Sequence, residues 1–304
     1  MKFNYFFKTS LVLALAMSFL IGYIPANSTV AKADAEYGDT MVTLGSDLNA
    51  DERKTVLGLL ELTEDDLKTM TVLGITNQDE HDYLDDYLPA SVIGTRALSS
   101  IKLVKAEDGT GIKVTTKNIS YCTDAMYVNA LATAGIKDAY VTVVGPFSIS
   151  GTAALVGTMK AYEEMTGEDI SEDVKDAATN ELVVTGEIAE MIGDSDKASE
   201  LMGYVKNEVL ENKLKDEDEI RKVIEEASDE MGVTLTDDEV ESIISIMKKL
   251  GGLDIDLNSI KDQAKGLYDK LEGLDIDTEK AEGVWNNIVS FFKGIYDKII
   301  NAFS

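Results

Sequence analysis

The residue types that carry nucleophilic or zinc chemistry are scarce in this chain. It has one cysteine, Cys122, and one histidine, His81, which lies in the acidic run Asp79-Glu80-His81-Asp82. A Cys/His pair could act as a nucleophilic site, because residues far apart in sequence can be neighbours in a fold. However, His81 falls on the predicted exposed face of a helix, which favours a solvated role. One histidine and one cysteine also disfavour a zinc site with nitrogen and sulfur ligands.

Carboxylates are abundant, but their spacing does not define a catalytic or metal-binding set. With 56 Asp+Glu residues, a hydrolase that uses only carboxylates stays open, and we assign no catalytic residue. Asp254, Asp256 and Asn258 have the spacing of the first three ligands of an EF-hand. However, Ser259 replaces the turn glycine, and Lys265 stands where the bidentate glutamate belongs. We expect these acids to lie at a helix N-terminus, and we predict neither a metal site nor a cofactor.

A candidate ligand site lies where residues 145–154 join a predicted strand to a predicted helix. The backbone N–H groups there, with the hydroxyls of Ser150 and Thr152 on either side of Gly151, could hold a small anion. The alternative is close packing of a helix rich in small residues on the sheet. Arg96 could add its guanidinium to these donors, or it could form a structural ion pair. We therefore name Arg96, Ser150, Gly151 and Thr152 as candidate ligand-binding residues.

The C-terminal segment, residues 284–303, has a strongly amphipathic pattern. Its apolar stripe includes Trp285, Ile288, Phe292, Ile295 and Phe303. Three roles are open for this segment: docking on the protein's own helical layer, association with a partner or a second copy, and insertion into a membrane interface. Its net charge is near zero rather than basic, which weakens the membrane role.

The elements that must position these residues change in character along the chain. Residues 34–165 alternate strand and helix patterns, which predict a small mixed sheet with helices, of the α/β or α+β class. The predicted elements are a strand at 41–45, helices opening at Asn49 and at Thr63, a β-type run at 69–75, a helix at 77–88, a hairpin with arms 97–106 and 112–119, a helix from Thr123 to Ala134, a strand at 139–144 broken by Gly145-Pro146, and a helix from about Ser150.

The rest of the chain is predicted to be helical. Residues 166–250 show apolar residues at helical spacing with acids on the opposite faces, and Thr236-Asp237-Asp238-Glu239 reads as a capping box. We expect an all-helical region that packs on the first domain. Residues 251–304 form a helical tail with a weak internal repeat, since Gly-Leu-Asp-Ile-Asp occurs at 252–256 and again at 273–277.

The first 33 residues have the pattern of a secretory signal peptide. Lys2 and Lys8 give a basic start, residues 11–24 are apolar, and Ala31-Lys32-Ala33 offers a small-residue cleavage site. The apolar run is short for a membrane span. We therefore expect cleavage before Asp34 and a protein that is extracellular or loosely associated with the cell envelope, without an integral membrane anchor.

The charge of the chain limits its partners. The 28 basic residues less the three in the leader leave 25 against 56 acids, a formal charge of −31 after cleavage. Such a surface repels nucleic acid and favours cationic groups and divalent ions. We expect no nucleic-acid binding, and we consider a cell-wall polymer bridged by divalent cations as a partner. A single cysteine allows no intramolecular disulfide, so the fold depends on its hydrophobic core.

Several sequence segments together resemble a known family. They are VTLGSDL at 42–48, ITN at 75–77, IGTRALSS at 93–100, NIS at 118–120, YVNALATAGI at 127–136, and residues 146–155 with SGTAAL. The chain resembles the YpuA-like secreted bacterial proteins, the domain-of-unknown-function family DUF1002, from about residue 36 to 210. The resemblance implies a secreted protein of a Gram-positive-type bacterium. It implies no activity, cofactor or site residue.

Three functional hypotheses follow from these observations. The first is a non-enzymatic extracellular or cell-envelope binding protein. The second is an envelope hydrolase that uses carboxylates or Cys122. The third is a protein that self-assembles, or lies at a membrane interface, through its C-terminal helix.

Overall fold

A mixed sheet of five strands lies at the centre of the described part of the chain, which in this computed structural model is residues 40–255, 257 and 260. The strands are β1 (Thr40–Gly45), β2 (Thr71–Ile75), β3 (Ser100–Lys105), β4 (Ile112–Ile119) and β5 (Ala139–Ile149). Their order across the sheet is β2-β1-β3-β5-β4. β1 pairs with β2 and β4 with β5 in parallel, whereas β3 is antiparallel to both β1 and β5.

Helices cover this sheet and then continue as a helical region. They are α1 (Ala50–Leu59), α2 (Asn77–Leu84), α3 (Ala90–Ile93), α4 (Asp124–Thr133), α5 (Thr152–Thr166), α6 (Glu172–Ile192), α7 (Ser195–Glu211), α8 (Glu217–Met231) and α9 (Asp237–Leu250), with a 3-10 turn at Asp66–Lys68. The predicted class, a small mixed sheet with helices followed by a helical region, is confirmed. The predicted signal peptide and the amphipathic tail lie outside the described residues.

Strand β1 is buried on both faces of the sheet. Val42 and Leu44 pack in one cluster with Val56 of α1. On the other face, the Thr43 hydroxyl donates to the Gly157 carbonyl of α5 at 3.0 Å. A strand covered by helices on both sides is buried along its whole length, and the two threonines of this strand, Thr40 and Thr43, are buried with its apolar residues.

The predicted hairpin between β3 and β4 is wrong. Strand β5 lies between them, with Ser100 of β3 opposite Val144 and Ile112 of β4 opposite Ala139. Helix α4 connects β4 to β5, and such a crossover makes the two strands it joins parallel neighbours. The glycine-rich segment after β3 therefore connects strands that are not adjacent in the sheet.

The predicted break at Gly145-Pro146 is also wrong, because β5 continues to Ile149. The pairing of β3 with β5 ends at Val144, so the proline, which has no N–H group, interrupts no hydrogen bond on that side. On the other side, the register shifts at Asn118, whose backbone has φ 60 and whose amide donates to the Gly145 carbonyl at 3.1 Å. The irregularity is thus absorbed by a bulge rather than by the end of the strand.

Capping boxes begin α1 and α9, as the sequence predicts. The Asn49 side chain accepts hydrogen bonds from the first turn of α1, and the Glu52 carboxylate accepts the Asn49 N–H at 2.8 Å. Thr236 and Glu239 form the same reciprocal arrangement at the start of α9. Each box satisfies backbone donors that a helix N-terminus leaves without partners.

Two other predicted helices are shorter in the structure than the sequence indicates. Thr63 and Asp66 form a reciprocal cap, with Thr63 N–H donating to Asp66 Oδ2 at 2.7 Å, but only the 3-10 turn follows it before β2. The helix predicted for residues 77–88 ends at Leu84. The chain turns there, and Leu88 packs in the same buried cluster as Leu84.

Candidate functional site

An open cavity of about 610 Å³ lies where β5 ends and α5 begins. It brings together all four residues that the sequence names as ligand-binding candidates, Arg96, Ser150, Gly151 and Thr152. The complete lining is Glu80, Ser91, Val92, Ile93, Gly94, Thr95, Arg96, Leu98, Ser99, Ser120, Tyr121, Phe147, Ser148, Ile149, Ser150, Gly151, Thr152 and Glu190. The volume lies in the range of small-molecule sites.

Gly151 fixes the turn at which β5 passes into α5. It occupies the N-cap position with φ 96, in the left-handed region that favours glycine. A Cβ atom here would lie 2.6 Å from Ile119 Cγ2 and 2.7 Å from the Tyr127 hydroxyl oxygen. That hydroxyl donates to the Gly151 carbonyl at 2.5 Å. The buried tyrosine therefore holds the cavity wall in place, and only glycine fits the turn.

Glu80 of α2 occupies the N-terminal end of α5. Its side chain is buried, with only 2% of the residue exposed, and the Thr152 hydroxyl donates to its Oε1 at 2.8 Å. The backbone N–H of Ala153 also donates to this carboxyl group. Burial raises the pKa of Glu80, and these hydrogen bonds partly oppose that rise. The protein's own carboxyl group therefore stands where the sequence suggested an external anion.

Arg96 forms the structural ion pair that was one of its two predicted roles. Its guanidinium is bidentate on Glu52, with Nη1 to Oε1 at 3.1 Å and Nη2 to Oε2 at 2.5 Å, and it also donates to the Asp47 carbonyl at 2.6 Å. The hydrogen bond lowers the pKa of Glu52 and raises the pKa of Arg96. Arg96 therefore lines the cavity with its charge already balanced by a carboxylate from α1.

Two aromatic residues that the sequence analysis missed complete the cavity. Phe147 on β5 is 49% exposed and lines the cavity, so its ring is accessible to a ligand. Tyr121 packs closely on α6, since a Cβ atom at Gly186 would lie 2.3 Å from its hydroxyl oxygen. Burial raises the pKa of Tyr121, so its hydroxyl stays neutral. The cavity thus combines aromatic rings, hydroxyl groups and two carboxyl groups.

Glu80 was missed because it lies in an acidic run that suggests a solvated helix face. The one available signal was its spacing, since Glu80 lies one helical turn before the buried Leu84 and so shares its face. Glu190 near the end of α6 and the two aromatic residues had no local signal, because they reach the cavity only through the tertiary fold.

Cys122 and His81 do not form a nucleophilic pair. Cys122 is only 1% exposed, burial raises its pKa to about 12, and its polar neighbour is the Tyr127 hydroxyl. His81 Nδ1 lies 2.5 Å from Asp85 Oδ1, a contact that raises the pKa of the histidine. A nucleophilic cysteine needs an accessible thiolate, so the Cys122 form of the hydrolase hypothesis has no support in this arrangement.

The described residues hold no group of three or more His, Cys, Asp or Glu side chains placed to bind a metal ion. In the segment with EF-hand-like spacing, Asp256 and Asn258 lie outside the described residues. The stripe of Trp285, Ile288, Phe292, Ile295 and Phe303 also lies outside them. Among the helices within the described ranges, none is long and apolar enough to span a bilayer.

The fold and the cavity define an α+β protein with a preformed pocket rich in hydroxyl groups. The chain belongs to DUF1002, a family described as a protein of unknown function, which matches residues 44–267. It is 40% identical to the uncharacterized protein YpuA of Bacillus subtilis (strain 168) over 290 aligned residues. The aligned region covers 95% of this chain and 97% of that protein. No solved structure matches the chain at a significant level.

Proposed function

We propose that this chain is an exported, non-enzymatic binding protein of the extracellular space or cell envelope, and that the cavity at the start of α5 is its binding site. The observation that carries this proposal is the convergence of Arg96 with Ser150, Gly151 and Thr152 around one open cavity of about 610 Å³. Export rests on the signal-peptide pattern of the first 33 residues.

The state of the polar groups supports binding rather than nucleophilic catalysis. The cysteine thiol is buried and the histidine is held by Asp85. The Glu80 carboxyl accepts hydrogen bonds that fix the start of α5. Of these groups, Glu80 lines the cavity, and a wall that is held in place before binding lowers the entropic cost of binding.

We propose a cell-wall polymer as the partner. The formal charge of −31 expected after cleavage disfavours anionic partners unless divalent cations bridge the two surfaces. Neither nucleic acid nor an integral membrane anchor fits this charge and sequence pattern.

Co-sedimentation of the purified protein with purified cell walls, with calcium and with a chelator, tests this function. Phe147→Ser alters the cavity rim, and Tyr140→Ser is its matched control, because Tyr140 is also an exposed aromatic residue of β5, at 39%, but does not line the cavity. We expect pelleting of the wild type and of the control, and loss of pelleting for Phe147→Ser. No pelleting under either ionic condition would overturn the wall partner. Equal pelleting of both variants would overturn the assignment of the cavity.

A carboxylate hydrolase is the second candidate. Glu80 and Glu190 line the same cavity in different environments, one buried and one exposed, and hydrolases use carboxyl groups whose environments differ in this way. Release of reducing sugar from purified walls, abolished by Glu190→Gln, would favour this candidate. Walls that stay intact while the protein pellets with them would favour the binding protein.

A further inference from the structure

The groups of the cavity that could attract an anion are already occupied. Glu80 fills the N-terminal end of α5. Arg96, the one cation in the lining, is bidentate on Glu52, which is not a lining residue. An incoming anion would have to displace a carboxylate that is already well placed, so the lining does not select for anions.

The remaining charge of the cavity is negative. Glu190 is exposed at its edge, and Glu187, one turn earlier on α6, lies close enough for the two charges to repel. Burial and that repulsion raise the pKa of Glu187. A ligand ammonium group near Glu190 would relieve this repulsion and gain an ion pair.

The neutral part of the lining suits a ligand with many hydroxyl groups. Serine and threonine side chains from three segments of the chain line the cavity, and each hydroxyl can both donate and accept a hydrogen bond. Tyr121 and Phe147 supply aromatic surface, which packs on apolar faces and also attracts cations. A volume of about 610 Å³ has room for more than a single small ion.

We infer that this cavity binds a saccharide that carries free amino groups, with Glu190 as the partner of an ammonium group and Phe147 as the surface on which a sugar ring packs. This inference rests on the proposed binding function and adds the chemical class of the ligand. The partner polymer would then be recognised through unacetylated amino sugars.

Calorimetric titration of the purified protein with two soluble probes tests the inference. The probes are a glucosamine oligomer and an N-acetylglucosamine oligomer of equal length, which differ only in the charge and bulk of the amino substituent. We expect one-to-one binding of the glucosamine oligomer at mildly acidic pH, and much weaker binding of the acetylated oligomer. Because the chain is acidic, an oligolysine of matched charge serves as a control for non-specific attraction.

Charge-matched variants locate the binding. Glu190→Gln should lower the affinity for the glucosamine oligomer by about fivefold, as expected for the loss of one partly screened ion pair. Glu225→Gln removes the same charge from an exposed position of α8 that does not line the cavity, and it should have no effect. Phe147→Ser should lower the affinity for the glucosamine oligomer without changing the affinity for oligolysine.

Two results would overturn the inference. One is equal or tighter binding of the acetylated oligomer, and the other is an unchanged affinity after Glu190→Gln. If the protein pellets with walls but binds neither oligomer, the inference fails and the proposed function survives. If it binds neither walls nor oligomers, both fail.

Discussion

The buried ion pair between Lys206 and Glu181 leads to the sharpest stability prediction. Both side chains are 0% exposed, and Lys206 Nζ lies 2.8 Å from Glu181 Oε1. The ammonium also donates to the Asn129 carbonyl at 2.9 Å and to the Thr133 hydroxyl at 3.1 Å. The Thr133 hydroxyl in turn donates to the second oxygen of Glu181. This network joins α4, α6 and α7, and burial lowers the pKa of Lys206.

The size of the effect follows from which charge is left behind. Lys206→Met leaves a buried carboxylate with Thr133 as its one remaining donor in this network, which should cost about 3–5 kcal/mol of unfolding free energy. The double variant Lys206→Met/Glu181→Leu removes both charges. It removes both partners of the Thr133 hydroxyl in this network, at a cost of about 1 kcal/mol, and apolar packing offsets this cost. We expect the double variant to lie within about 2 kcal/mol of the wild type, and so to be more stable than the Lys206→Met single variant.

Urea unfolding followed by far-ultraviolet circular dichroism measures these differences, with the slope of the transition checked for constancy. Lys222→Met is the matched control, because Lys222 is exposed and pairs with Glu226 at 3.6 Å on the surface of α8. It should change stability by less than about 0.5 kcal/mol. The reasoning is refuted if Lys206→Met costs no more than this control, or if the double variant loses the sum of the two single losses.

Three further predictions concern Glu80, Gly151 and Cys122. Because burial raises the pKa of Glu80, its contribution to stability is present below its ordinary pKa and is lost as the pH rises from about 4 towards neutrality. The melting temperature of Glu80→Gln should therefore rise relative to that of the wild type over this pH range. A difference in melting temperature that stays constant with pH would contradict this prediction. Gly151→Ala should lower the free energy of unfolding by about 1–3 kcal/mol or more, because φ is positive at this position and the new Cβ atom would collide with its neighbours. Thermal unfolding should show a smaller loss of stability for the control Gly109→Ala, whose φ is also positive but whose surroundings are open. Cys122, buried and with a pKa of about 12, should react with a thiol reagent at the rate of unfolding, and rapid labelling of the folded protein would refute the buried placement.

The parts of the fold that could be predicted from the sequence are those whose partners are close together along the chain. Asn49 and Glu52 lie within one helical turn, so their capping box depends on little else. The pairing of β3 and β4 could not be predicted in the same way. Two β-rich arms around glycines favour a hairpin, but β5, which is more distant in sequence, takes the position between them. Strand neighbours depend on the whole sheet, and local patterns do not determine them.

The candidate site shows the same division. Residue types and the strand-to-helix junction were sufficient to predict that Arg96 would meet residues 150–152, and the cavity places them together. The partner that balances Arg96 is Glu52 on α1, and the group that fills the end of α5 is Glu80 on α2. Both carboxylates belong to acidic runs that look solvated in sequence. The sequence thus indicated which residues line the cavity, and the charge of the ligand that it binds stays a prediction.

Helix α6 connects the core network to the cavity. Glu181 of α6 is held in the core by Lys206, Gly186 is packed against Tyr121, and Glu190 of the same helix lines the cavity. A buried charge pair often adds little net stability but disfavours other arrangements of the helices around it. Because α6 is held at two points before it reaches the cavity, the backbone position of Glu190 is fixed by the core. A ligand ammonium group would then meet a carboxylate whose backbone is already in place, and only the side chain has to be ordered when the ion pair forms.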